Sequence, residues 1–154
     1  MSSQPRPEHG SIGSVCDDTV VGLFAGAAVY ITLVEHPARM ECGTEVATTE
    51  FRPSYRRAAF MQVSLALLGF VCSIIAWVAE GNRAWLLGGV LLVAVVPFTL
   101  VVILPTNKKL LDPALDKGSE QARQLLLRWG RLHAVRTIMS LLSLAVFLYL
   151  IIER

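Results

Sequence analysis

The side chains best suited to chemistry stand at the borders of long apolar runs. Trp129, His133 and Arg136 are four and three positions apart, a spacing that places them on one face of a helix. An ionisable group at such a border is a functional candidate by default, because an unpaired charge in hydrocarbon costs on the order of 2.5–3.5 kcal/mol on insertion scales. The candidate residues at these borders are Glu35, His36, Tyr55, Asn107, Trp129, His133 and Arg136.

Each candidate also has a purely structural interpretation. Arg136 can extend its guanidinium to the headgroups, and otherwise we expect it to pair with Glu35. Trp129 and Tyr55 are residue types that commonly anchor a helix at the membrane interface. The two histidines of the set can bond backbone carbonyls, and the asparagine can cap a helix end.

Familiar catalytic and metal-binding motifs are absent from the sequence. Two histidines and a glutamate are a familiar ligand set, but no two candidate ligands lie four apart as in H-E-x-x-H, so we expect no bound metal. There is no Ser-His-Asp order, glycine-rich phosphate loop or C-x-x-C pair. Lys and Arg border apolar runs and do not cover one soluble face, which argues against a nucleic-acid partner.

The elements that must position the candidates are helices in a membrane. Of the 154 residues, 54% are hydrophobic and only 17% are charged, more apolar surface than a small soluble domain can bury. Four apolar runs, 19–34, 58–79, 84–104 and 134–152, predict four spans, and the middle two alone reach roughly 30 Å. We therefore predict an all-α integral membrane four-helix bundle over residues 19–154, preceded by a disordered polar tail at 1–18.

The connections determine which ends of the spans meet. Residues 80–83 form so short a link that the second and third spans must be antiparallel neighbours, and both longer connections then lie on the opposite side. Arg6, Arg83 and Arg154 flank the other side, while the side of the long connections carries Arg39, Arg52, Arg56, Arg57, Lys108, Lys109, Lys117, Arg123, Arg128 and Arg131. The positive-inside bias places the long connections in the cytosol and both termini in a lumen or outside the cell.

Local signals refine this arrangement. The pattern from Ser119 onward predicts one long helix, roughly 50 Å in all, whose amphipathic cytosolic extension leads into the fourth span. Pro37 and Pro105 are expected to end the first and third spans. Gly22 and Gly26 form a G-x-x-x-G spacing, which lets another backbone approach, and a homo-oligomer is one partner that we consider.

Several short motifs together resemble one membrane family. They are the segments 34–38 (VEHPA), 51–55 (FRPSY), 97–99 (PFT) and 105–110 (PTNKKL), and the pattern Trp129-x-x-x-His133-x-x-Arg136. In order and spacing they look like the anthrone oxygenase-like membrane proteins, and the resemblance extends from Gly22 to Ile152. It implies an enzyme that oxidises a polyketide anthrone to an anthraquinone with molecular oxygen and without a cofactor.

The resemblance also implies roles for the candidates. Such an enzyme needs a base, a donor for an oxyanion and a dry apolar pocket. Either histidine could be the base, the arginine and the asparagine could donate to the oxyanion, and the tryptophan offers a flat face to a flat lipophilic aromatic. The catalytic candidates are thus His133, His36, Arg136 and Asn107, and the substrate-binding candidates are Trp129, Tyr55 and Glu35.

A function of a different class remains open at this point. The chain could be a non-catalytic membrane protein that binds lipid or a partner helix through its basic rim and its small-residue faces. Convergence of His36, Asn107, His133 and Arg136 on a common cavity would favour the enzyme, whereas side chains directed separately at headgroups would favour the binding protein. A carrier is a poorer third reading, because the sequence has no inverted repeat.

Overall fold

The computed structural model describes residues 12–153, with side chains from residue 19 onward. Four helical segments in this range are long and apolar enough to cross a membrane, and they are Thr19–Glu41, Thr44–Glu80, Ala84–Leu110 and Glu120–Ile152. No strand occurs among residues 12–153. The prediction of an all-α four-helix membrane bundle is confirmed.

The first segment begins earlier than its apolar run. Helix α1 covers Ile12–Tyr30, so residues 12–18 of the predicted tail form its first turns, whereas residues 1–11 lie outside the described residues. A π-helical turn at Ile31–Glu35 follows, and then helix α2 at His36–Glu41. The first crossing is therefore continuous from α1 into α2.

The expectation that Pro37 and Pro105 end their spans is wrong. Each proline is the second residue after a π-helical turn, and the helix continues through it. In the π turns, the His36 N–H donates to the Ile31 carbonyl and the Leu104 N–H to the Thr99 carbonyl. The extra residue in each turn rotates the side chains that follow by about 100°.

The remaining helices fill in the other crossings. Helix α3 runs over Thr44–Glu80, through Pro53, so most of the first long connection is helical. The third crossing consists of α4 at Ala84–Val93, α5 at Val95–Phe98, a π turn at Thr99–Ile103 and α6 at Leu104–Leu110. Helix α7 covers Glu120–Ile152, and the Ser119 hydroxyl caps it by accepting from the Ala122 N–H at 3.2 Å. The predicted long fourth helix is confirmed.

Glycines allow close helix packing near the short connection. A Cβ at Gly88 would lie 2.7 Å from the ring of Phe147, and one at Gly89 would lie 2.7 Å from the Cβ of Ser73. In contrast, a Cβ at Gly22 or Gly26 would meet nothing within 4 Å. The G-x-x-x-G face is not used in packing within the described chain, because α1 turns other residues inward, namely Val21, Phe24, Ala25 and Ala28.

Candidate functional site

A partly open cavity lies at the end of the bundle away from the short connection, where α3 and the third crossing separate. Its volume is about 110 Å³, several times the roughly 10–15 Å³ that one water-sized sphere occupies. All four crossings contribute to its wall. Its main lining residues are Phe24, Ile31, Glu35, Arg39, Phe51, Ser54, Tyr55, Gln62, Val95, Val96, Thr99, Leu100, Trp129, His133 and Arg136.

Aromatic rings form one wall of this cavity. Trp129 and His133 stack one turn apart on α7, with ring centroids 4.8 Å apart and planes 28° apart. Phe51 meets the Trp129 ring edge-on at 5.3 Å, and the guanidinium carbon of Arg39 lies 5.8 Å from its centroid. Because these contacts hold the indole from several sides, the wall presents a fixed flat surface.

His36 supports this wall from behind. Its ring centroid lies 5.2 Å from that of Trp129, and a Cβ at Gly130 would lie only 2.7 Å from its Cδ2 atom. His36 is not among the residues that line the cavity. The π turn before His36 brings its ring over Gly130 of α7. A regular α-helix would have turned this side chain about 100° away.

A chain of hydroxyl groups orients His133, which is 2% exposed. Its Nδ1 atom lies 3.0 Å from Thr32 Oγ1, which in turn lies 2.8 Å from Thr137 Oγ1. Thr137 also reaches two backbone carbonyls, those of Ala28 at 3.1 Å and of His133 at 3.2 Å. The hydroxyl chain runs from α7 to α1 and back, and it joins the imidazole to the backbone of both helices.

The carbonyl contacts of Thr137 favour one direction for this chain. We infer that the single proton of Thr137 is given to one of these carbonyls, so that its oxygen accepts from Thr32. With the proton of Thr32 used in this way, Nδ1 of His133 is assigned as the donor to Thr32. The lone pair of the neutral imidazole is left on Nε2, which makes no hydrogen bond to any residue in the described part of the chain. His133 is thereby set up as a proton acceptor.

Arg136 lies one turn beyond His133 and pairs with Gln62, which is not one of the seven candidate residues. Its Nη2 donates to Gln62 Oε1 at 2.5 Å, and Gln62 is 2% exposed on α3. The expected pairing of Arg136 with Glu35 is wrong. Glu35 is instead bonded by Arg39, four residues later on its own crossing, a helical spacing that brings the two side chains together without help from another element.

Arg39 is the centre of a charged cluster at the cavity's polar end. Besides Glu35, its Nε lies 2.9 Å from Glu50 Oε2 and its Nη2 donates to Ser54 Oγ at 3.2 Å. Ser54 also donates to Glu35 Oε1 at 2.7 Å. Arg39 is buried, so its charge is stabilised by two carboxylates and a hydroxyl. The i,i+4 spacing of Glu35 and Arg39 was a sequence signal for this pair, as the lone glutamine in an apolar run was for Gln62.

The structure brings together five of the seven predicted site residues. Those that line the cavity are Glu35, Tyr55, Trp129, His133 and Arg136. His36 lies behind Trp129 and does not line the cavity. Asn107 is fully buried on α6 and does not line it either. Neither amide atom of Asn107 has a hydrogen-bond partner among the described residues. No group of three or more His, Cys, Asp or Glu side chains in that part of the chain could hold a metal ion.

Comparisons with known proteins identify one family. The family model for anthrone oxygenase matches residues 51–146, which include every cavity residue on α3, the third crossing and α7. An anthrone oxygenase of Claviceps purpurea is 26% identical over 136 residues, with 78% of each chain covered. The anthrone oxygenase tpcL of Aspergillus fumigatus is 29% identical, covering 80% of this chain and 84% of the relative.

A third relative is slightly more similar. The anthrone oxygenase gedH of Aspergillus terreus is 30% identical over 127 residues, covering 75% of this chain and 83% of the relative. No solved structure matches the chain significantly. Together these relatives favour an oxygenase over the non-catalytic alternative.

Proposed function

This chain belongs to the anthrone oxygenase family, and on that premise we propose that it oxidises a lipophilic anthrone-like substrate with molecular oxygen. The reaction converts the methylene between two aromatic rings to a carbonyl. One molecule of anthrone and one of oxygen give one quinone and one water. The observation that carries the proposal is the largely apolar cavity in which His133, with a free Nε2 lone pair, lies between Trp129 and the partly buried cation of Arg136.

The first step is removal of a proton from the methylene by His133. The proton passes to Nε2, and the electron pair left behind is delocalised into the carbonyl oxygen, so that the anion is an aromatic phenolate. Imidazole is a common general base, and such a base typically contributes about 10²–10⁴-fold to the rate. His36 is the weaker candidate for the base, because it lies behind Trp129 and not on the cavity wall.

Oxygen then reacts with the anion directly. The electron-rich phenolate passes one electron to oxygen, and the resulting radical pair combines to form a carbon–oxygen bond at the former methylene. The peroxide takes the proton back from His133. Loss of the second hydrogen from the same carbon, with cleavage of the oxygen–oxygen bond, gives the carbonyl and water, so the protein itself is neither oxidised nor reduced and the chemistry requires no cofactor.

The remaining cavity residues position the substrate. Trp129 forms an aromatic wall of the cavity with Phe51 and His133, against which a flat ring system can pack. Tyr55 lies next to it by stacking on Phe51 at 5.6 Å, and Glu35 bounds the polar end with Arg39. Four apolar crossings give the protein a surface suited to lipid, a medium in which an aromatic substrate and oxygen both dissolve. We place this end of the bundle in the cytosol, on the strength of the Lys and Arg distribution.

The test is oxygen uptake by the purified protein in detergent with 1,8-dihydroxyanthrone, corrected for the rate without protein. His133→Ala should lower kcat/KM about 10²–10⁴-fold, while Ser143→Ala, which removes a buried hydroxyl that donates to the Gly88 carbonyl at 2.8 Å, should not. The wild type should consume one oxygen per quinone, and added catalase should return none. Unchanged uptake by the His133 variant, or a wild type no faster than solution, would contradict the proposal.

A further inference from the structure

Gln62 and Arg136 form a polar pair in the cavity wall whose hydrogen-bonding capacity is only partly used. Gln62 is 2% exposed in a stretch of α3 where apolar residues predominate. A buried amide without its full set of partners costs free energy, more so where lipid replaces water outside the bundle. Its presence therefore requires an explanation beyond packing.

The bond between the two side chains determines which Gln62 atom is left over. A guanidinium has donors only, so the atom of Gln62 that faces Arg136 at 2.5 Å must be the carbonyl oxygen Oε1. The amide nitrogen Nε2 is then the free end. It is buried and makes no hydrogen bond within the described part of the chain.

Arg136 also retains an unused donor and an uncompensated charge. Its Nε is buried without a partner among residues 19–153, and no carboxylate in that range lies within ion-pair distance of it. The nearby carboxylates of Glu35 and Glu50 are both engaged by Arg39. Even a partly buried cation without a counter-ion is costly in a membrane protein, and a ligand that carries negative charge would supply one.

From this geometry we propose that Gln62 Nε2 and Arg136 Nε bind one oxyanion of a flat aromatic phenolate that occupies the cavity. The inference rests on the proposed function in that the anion formed by His133 would be the species so bound. It adds a catalytic residue, Gln62, and gives the oxyanion a pair of donors at a position that Asn107 does not reach. Two donors fixed before the anion forms stabilise it without the cost of reorganising solvent.

The two donors also imply which substrates the cavity prefers. Trp129 and His133 lie on the same face of α7 as Arg136 and fix a flat ring beside them. A polycyclic phenol whose oxygen sits at the edge of its ring system could meet the aromatic wall and the donors at once. A fatty-acid carboxylate offers the charge but not the flat face, so we expect it to bind more weakly.

The test uses a probe that cannot turn over, so that it is independent of oxygenation. 1-Hydroxyanthraquinone changes its visible absorption when it ionises, and the wild-type protein in detergent should bind it and favour its ionised form. Gln62→Leu should weaken binding of the ionised probe about 10- to 100-fold, since a hydrogen bond to a charged group typically contributes that much. Gln62→Glu should abolish it, because a carboxylate beside Arg136 both neutralises the cation and repels the anion.

Controls separate this role from a structural one. Unsubstituted anthraquinone, which has no hydroxyl to ionise, should bind the wild type and Gln62→Leu equally. Ser143→Ala removes a buried hydroxyl that donates to the Gly88 carbonyl at 2.8 Å and does not line the cavity, so it should leave ionisation of the probe unchanged. Equal loss of both probes in Gln62→Leu, an unaltered absorption shift in that variant, or tighter Gln62-dependent binding of oleate than of the phenolate would overturn the inference.

The outcomes also distinguish this inference from the proposed function. If the wild type ionises the probe and depends on Gln62 but consumes no oxygen with an anthrone, the anion site stands and the oxygenase proposal fails. If it oxidises anthrones while Gln62→Leu keeps both full activity and full probe ionisation, the oxygenase stands and the role of Gln62 is refuted.

Discussion

Replacing Thr137 by valine should lower oxygenation in a protein that still folds. Valine has nearly the shape of threonine, so no cavity opens at the buried site. It lacks the oxygen that accepts the Thr32 proton, however. Thr32 is then free to donate to Nδ1 of His133, which requires the imidazole proton to move to Nε2 and removes the lone pair that accepts the substrate proton.

The expected magnitude comes from the hydrogen bond that is lost. Such bonds between membrane helices contribute on average about 0.6 kcal/mol and at most about 1.7 kcal/mol. If that energy alone holds the productive tautomer, its population falls about 3- to 16-fold, at 1.4 kcal/mol per factor of ten. We therefore expect kcat to fall by the same factor, well short of the loss in His133→Ala, with KM for the anthrone little changed.

Oxygen uptake and thermal unfolding in the same detergent measure the two effects side by side. Thr137→Ser restores a hydroxyl at the same place and should recover most of the rate. Ser143→Ala removes a buried hydroxyl from the same helix without touching the hydroxyl chain, so it should cost similar stability and no activity. Full activity in Thr137→Val, or a matching loss in Ser143→Ala, would refute the tautomer argument.

Two further changes test the support of the site and the threading of the chain. Gly130→Ala should lower both stability and oxygenation, because its Cβ would clash with the His36 ring. Such overpacking costs about 1–3 kcal/mol. This cost outweighs the roughly 1 kcal/mol by which alanine favours a helix over glycine. Gly22→Ala, which meets nothing within 4 Å, should be neutral or slightly stabilising, and thermal unfolding that ranks the two the other way round would contradict this. Single cysteines at Arg52 and Lys117, which border one surface cleft, should react with a membrane-impermeant thiol reagent from the same side, and one at Asn82 from the other. Labelling of the first two from opposite sides would refute the four-crossing topology.

The number and type of the crossings were predictable because each depends on local composition. A run of about twenty apolar residues can satisfy its backbone in lipid only as a helix, whatever its neighbours are. The start of α7 at Ser119 was also predictable, since a cap is a short-range feature. The helical course of the first long connection was not, because residues 44–57 of α3 are polar enough to suggest a loop and are held by packing against other elements, as the full burial of Ala47 and Phe51 shows.

The packing role of the glycines was not predictable from spacing alone. Gly88 and Gly89 allow close helix approach, whereas Gly22 and Gly26 do not. Only the second pair has the G-x-x-x-G spacing. The difference is the rotation of each helix about its own axis, which is set by the side chains that the rest of the bundle buries.

The sequence by itself determined that the candidate site lies at the end of the bundle shared by Glu35, Tyr55, Trp129, His133 and Arg136, because the even threading of four spans brings those borders to one side. Only the tertiary structure decided the partners within that site. The π turn of the first crossing holds Thr32 against His133 of the fourth, and Gln62 of the second crossing bonds Arg136 of the fourth. Such choices depend on the rotation and depth of one helix against another, which packing of the whole bundle fixes and which no local pattern of residues encodes.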